Sequence, residues 1–81
     1  MTIQNSIKNR LVDSGMFSDQ ADQVIQAMKD DEANGAMSSR WNDDESGYPV
    51  QIMALVFSAK RHAIEWIDAN CPMAWYRPMF E

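Results

Sequence analysis

Apolar residues in the first half of the chain recur at helical spacing. Ile3, Ile7 and Leu11 stand four apart with Val12 beside them; Thr2 precedes them as a capping residue and Gly15 follows as a left-handed stop, so a helix is predicted over residues 3–14. Met16 and Phe17 then form an apolar joint. Ser18 is a preferred N-cap, Asp19 and Asp22 place carboxylates where a helix dipole favours them, and Ala21, Val24, Ile25 and Met28 give the i, i+3, i+4, i+7 stripe of a second helix over 19–30. A joint this short predicts an antiparallel or steeply crossed pair.

The following stretch is polar, acidic and punctuated by Asn34-Gly35 and Ser46-Gly47. Within it Ala33, Met37 and Trp41 lie four apart, which predicts a short helix around 35–41 with these three turned to the core. Pro49 suits the first position of a helix, where no N–H is needed, and no breaker follows until Cys71-Pro72. On a helical wheel Ile52, Met53, Leu55, Val56, Phe57, Ala59, Ala63, Ile64, Trp66 and Ile67 fill an arc of roughly 200°, with Gln51, Ser58, Arg61, His62, Glu65 and Asp68 opposite. So wide an arc predicts cover on more than one side, by the other helices or by another molecule. The fold expected is all-α: a single domain over 1–81, a small bundle of three to four helices with one long C-terminal helix at about 49–70 and an aromatic non-helical tail.

Charge narrows the partners. The net charge is −5, but residues 13–45 hold nine carboxylates against Lys29 and Arg40, a local balance of −7, and the remainder sums to +2. That distribution lacks the basic face that phosphate backbones require, so no direct nucleic-acid binding is expected, and the acidic middle, with Asp43, Asp44 and Glu45, invites a basic partner protein. The lone Cys71 excludes an internal disulfide, and no apolar run approaches a bilayer span or forms the core of a leader. A cytoplasmic protein with no membrane association is the expectation.

Few residues offer chemistry. Asn42, Asp44, Ser46 and Gly47 match the first, third, fifth and sixth positions of a calcium loop, but the twelfth falls on Met53, which has no carboxylate to give. The reading is a solvated acidic loop. His62 is the single histidine and is expected on the polar face, pairing with Glu65, and Cys71 is the one other soft ligand; two such groups make neither a metal site nor, about 13 Å apart along a helix, a thiol–imidazole pair. With no phosphate loop and no nucleophile triad, neither a catalytic centre nor a metal or cofactor is expected.

Binding is the better prospect. Trp75, Tyr76, Arg77 and Phe80 are residue types enriched at interface hot spots, and they sit in a tail stiffened by Pro72 and Pro78 that either covers the long helix or presents an edge to a partner. Lys60 falls inside the apolar arc, where its head group needs an exit past the helix edge or a carboxylate across an interface.

The run YPVQIMALVFSAKRHAIEWIDANCPMAWYRPMFE resembles short proteins encoded by tailed bacteriophages and prophages, over the last forty residues or so. The resemblance carries no catalytic motif; it implies a phage accessory protein acting in the bacterial host cytoplasm, a class that often binds and inhibits a host protein. The leading expectation is thus a non-catalytic protein-binding accessory or inhibitory protein, with host or viral protein as partner. Two alternatives stand beside it. One is a structural homo-oligomer built on the wide apolar arc. The other is an acidic nucleic-acid mimic, disfavoured because −7 over 33 residues is far sparser than the roughly one charge per 1.7 Å of duplex DNA.

Overall fold

A computed structural model describes residues 1–34, 40–47 and 49–81, without the side chains of residues 33 and 34. Three helices, α1 (Ile3–Asp13), α2 (Ser18–Asn34) and α3 (Pro49–Asn70), each pack on the other two, and no strand occurs among the described residues. The all-α expectation holds. The short helix expected at 35–41 lies, apart from its last two residues, outside the described residues, as do Met37 and Tyr48.

The start of α1 shows why its ends fall where they do. Thr2 Oγ1 accepts the Asn5 N–H at 3.2 Å, while the Ile3 and Gln4 N–H groups donate to the backbone carbonyls of Asp43 and Trp41, both at 2.9 Å. The orphan donors of the first turn are thereby satisfied from a distant segment. At the other end Gly15 takes φ +121° and its N–H donates to the Val12 carbonyl, closing the helix as the sequence predicts. The cap of α2 differs by one residue from expectation. Ser18 is already helical, and Phe17 is the capping residue: its carbonyl accepts from Ala21, and its N–H donates to Gln20 Oε1 at 3.1 Å. A glutamine three residues after the cap supplies this reciprocal bond and so moves the start back.

The core is the predicted one on α1 and α2: Ile3, Ile7 and Leu11 face Ala21, Val24, Ile25 and Met28, all buried. Trp41 joins them, its indole N–H donating to Glu32 at 3.0 Å.

On α3 the wide arc is only partly closed. Leu55, Ala59, His62, Ala63 and Ile67 are buried, an arc of about 140° at 100° per residue, and Val50, Met53 and Phe57 lie outside it, exposed. Two shorter helices cover one side of α3, and on the remainder Val50, Met53 and Phe57 stay exposed beside Arg61 and Asp68. His62 corrects the expectation of a surface histidine. It is 9 % exposed, with Nδ1 2.8 Å from the Ser58 carbonyl and Nε2 2.5 Å from Asp31 of α2. A carbonyl only accepts, so Nδ1–H donates to it, and Nε2 makes the cross-helix contact. An imidazole on the edge of the buried arc reads as polar on a wheel, because the wheel does not show the carboxylate that a neighbouring helix brings to it.

Candidate functional site

The tail after α3 folds back onto the bundle. Its backbone runs through successive turns, with Ala74, Arg77 and Met79 N–H groups donating to the Cys71, Ala74 and Tyr76 carbonyls at 2.9, 3.2 and 3.0 Å, and it ends in a 3-10 turn over Arg77–Phe80. Tyr76 and Phe80 are buried at 4 % and 3 % exposure, their rings edge-to-face with centroids 6.4 Å apart. The Tyr76 hydroxyl donates to Gln20 Oε1 at 2.7 Å, the same oxygen that caps α2. Burial pushes the Tyr76 phenol above its ordinary value, and its contact with the Cys71 thiol, 3.5 Å away, acts in the same direction.

Arg77 fixes the outside of the tail. Its Nε and a terminal nitrogen donate to the two oxygens of Asp68 at 2.7 and 3.2 Å, and its other terminal nitrogen reaches Glu81 at 2.5 Å. The forked donation holds the Asp68 carboxyl below the usual carboxylate range, and the guanidinium is correspondingly raised. The fork is half-buried and its donors are taken up within the chain, so Arg77 orders the tail.

Trp75 stands on the other side of this arrangement. It is 73 % exposed, its ring edge-to-face with Tyr76 at 5.7 Å, and its outer edge lies over the α1–α2 turn so closely that a Cβ on Gly15 would sit 2.9 Å from Trp75 Cη2. Phe17 in the same turn (68 %) and Val12 in the last turn of α1 are exposed, as are Met73 and Met79 of the tail. The exposed Trp75 thus lies over Gly15, two residues before the exposed Phe17, and is supported by Tyr76, whose hydroxyl reaches Gln20. Large apolar groups left in water at an ordered site are the usual mark of an interaction surface.

The acidic residues are differently placed. Asp43 meets Arg40 at 3.4 Å, Glu45 accepts from the Ser6 hydroxyl, and Asp44 accepts the Ser46 N–H at 2.8 Å and lies 3.9 Å from the N-terminal ammonium. The Ser46 hydroxyl and N–H, aided by the terminal charge, hold the Asp44 carboxyl below its ordinary value. Glu45 and Asp44 therefore tie the 40–46 segment to the start of the chain, while the Asp43 carboxylate pairs within the segment; Asp44 still faces solvent.

Lys60 sits at the edge of the buried arc of α3 and is exposed. With Arg10 and Asp13 of α1 it rims a cleft of about 320 Å³ between the two helices, floored by Leu11, Val56, Ala59 and Phe80. The structure brings together Trp75, Tyr76, Arg77 and Phe80 in the tail, puts Lys60 over the cleft next to Phe80, and leaves Asp43, Asp44 and Glu45 in the segment that caps α1. Gly15 and Gln20 meet the tail, Gly15 against Trp75 and Tyr76 and Gln20 at the Tyr76 hydroxyl, and neither contact is announced by the sequence. Gly15 was legible as a stop, but nothing local signals its contact with Trp75 and Tyr76, some sixty positions later.

No cluster of three or more potential metal ligands occurs among the described residues, and no helix is long and apolar enough to cross a membrane. Comparison with protein-family profiles, with curated proteins and with solved structures gives no match.

Proposed function

We propose that this protein is a non-catalytic binding module that docks onto another protein through the aromatic end formed by Trp75, Phe17 and Val12. The observation that carries the proposal is the exposure of Trp75 on a tail that is otherwise locked down: Tyr76 and Phe80 are buried and Arg77 is clamped to Asp68. An exposed aromatic on a preordered support loses little conformational entropy on docking, which is how hot-spot residues reach large contributions. The resemblance of the C-terminal run to short phage proteins adds the class of partner, a bacterial host protein, and a cytoplasmic setting.

Two sets of immobilised protein, unmodified and Trp75→Ala, exposed to a bacterial lysate test the reading. A specific protein retained by the first and lost from the second is expected; equal retention by both would move the contact elsewhere.

A second reading has its own observation. Met53 and Phe57, the unclosed edge of the wide arc, form with Val50 beside them an exposed apolar stripe along the N-terminal half of α3. Self-association through this stripe would give a homo-oligomer. Charge mimicry of nucleic acid draws less support, because Asp43, Asp44 and Glu45 are occupied with partners inside the chain.

A further inference from the structure

The protein has seven basic side chains. Four are used internally: Lys8 pairs with Asp22, Arg40 with Asp43, Arg77 with Asp68 and Glu81, and Lys29 donates to Gln4. Among the described residues the side chains of Arg10, Lys60 and Arg61 make no hydrogen bond or ion pair. Arg61 lies away from the bundle with Ala54, Phe57 and Ser58. Arg10 and Lys60, from different helices, border the same α1–α3 cleft.

That coincidence has a chemical direction. In a chain carrying twelve carboxylates, two unspent cations converge on a cleft with an aliphatic and aromatic floor. Asp13 is the one acidic group on the rim, and it leaves a surplus of positive charge. The volume, about 320 Å³, is at the lower end of the range of about 300 to 1,000 Å³ in which small-molecule sites fall. A neutral apolar ligand would leave both head groups idle, and a cationic one would meet a net repulsion.

We propose that the α1–α3 cleft binds a medium-chain aliphatic carboxylate, its hydrocarbon tail on Leu11, Val56, Ala59 and Phe80 and its carboxylate between Arg10 and Lys60. The tail of the ligand gains by leaving water, and the paired cations select the carboxylate by charge-assisted hydrogen bonds. The site is separate from the Trp75 surface and stands whether or not that surface binds a protein.

Decanoate, decanol and decylamine, each below its aggregation limit, provide the test by titration calorimetry on the full chain, with methyl NMR shifts of Leu11, Val56 and Ala59 locating the ligand. Decanoate should bind at least about tenfold more tightly than either other probe, which is the worth of one charge-assisted contact. Arg10→Gln with Lys60→Gln should reduce decanoate to the level of decanol, and Asp13→Asn should tighten it; both changes are at exposed positions and should leave the circular dichroism unaltered. Equal affinity for decanoate and decanol, preference for decylamine, or shifts confined to residues elsewhere would overturn the proposal. So would methyl shifts that follow protein concentration and ignore decanoate, since these would assign the cleft to a second copy of the chain.

Discussion

Replacing Gly15 with alanine probes the joint on which the aromatic end is built. Two costs are set by the structure. The residue holds φ +121°, a conformation that a side chain makes unfavourable by about 1 to 3 kcal/mol. The new Cβ would lie 2.6 Å from Tyr76 Cβ and 2.9 Å from Trp75 Cη2. Tyr76 Cβ is fixed to its backbone and its ring is tethered through the hydroxyl to Gln20, so the tail has to shift as a unit, at a further cost of about 1 to 3 kcal/mol for overpacking. The lower entropy of the unfolded alanine chain offsets about 0.4 to 1 kcal/mol. The net expectation is a loss of about 2 to 5 kcal/mol, a large part of the stability of a domain this size. It is capped by the free energy of undocking the tail, beyond which the tail releases and the helices remain. Urea unfolding followed by circular dichroism and by tryptophan emission separates the two: either the common midpoint falls, or the emission changes without urea while the helical signal persists. Gly47→Ala is the control, since a Cβ there meets nothing within 4 Å, and should leave the protein undiminished in stability or raise it by up to about 1 kcal/mol. A Gly15→Ala protein with unaltered midpoint and emission would refute the packing of the tail on this turn.

Three further outcomes follow from the same contacts. Because Asp68 has a depressed pKa in the fold, its contribution is fully present above its unfolded value of about 3.9 and is lost as pH falls through the lower folded value; Asp68→Asn should remove that part of the acid-induced drop in thermal midpoint, and identical acid profiles for both proteins would contradict the role of the Arg77 clamp. Reversing Asp43, Asp44 and Glu45 to lysine should lower the thermal midpoint of the free protein, since it breaks the contacts to Arg40, Ser46, Ser6 and the N-terminus; an unchanged midpoint with lost partner capture would instead return these residues to a binding role. If the α3 stripe joins copies of the chain, sedimentation should show a dimer or larger species at micromolar concentration that Phe57→Asp converts to a folded monomer, and a monomeric unmodified protein would end the homo-oligomer reading.

The parts of this molecule that were legible in the sequence are those fixed by local periodicity. The α1 and α2 stripes, the Gly15 stop and Pro49 as the start of α3 follow from spacing and backbone preference, and they appear where the pattern puts them. What periodicity could not give is which side of α3 its neighbours cover. The ten apolar residues on its wheel are equivalent until α1 and α2 are placed, so Met53 and Phe57 read as core alongside Leu55 and Ala59. His62 read as surface for the complementary reason, that its partner Asp31 is supplied by another helix. The tail shows the same limit. Composition marked Trp75, Tyr76 and Phe80 together, while the alternation of turns decides that Tyr76 and Phe80 point inward and Trp75 outward.

Trp75→Ala beside Tyr76→Ala measures that division. Trp75 keeps only about a quarter of its surface from water. On a side chain of about 250 Å² that is about 60 Å², or about 1.5 kcal/mol at 25 cal/mol per Å². Tyr76 is almost wholly enclosed and hydrogen-bonded to Gln20, so its truncation should cost about 3 to 5 kcal/mol, as other large aromatic core deletions do. Equilibrium unfolding and capture of the retained partner should be measured on both variants. Trp75→Ala should stay within about 1.5 kcal/mol of the unmodified protein in stability yet lose about 2 kcal/mol or more of partner affinity, while Tyr76→Ala should be strongly destabilised. A Trp75→Ala protein destabilised by about 3 kcal/mol or more, or one that captures the partner undiminished, would contradict that expectation.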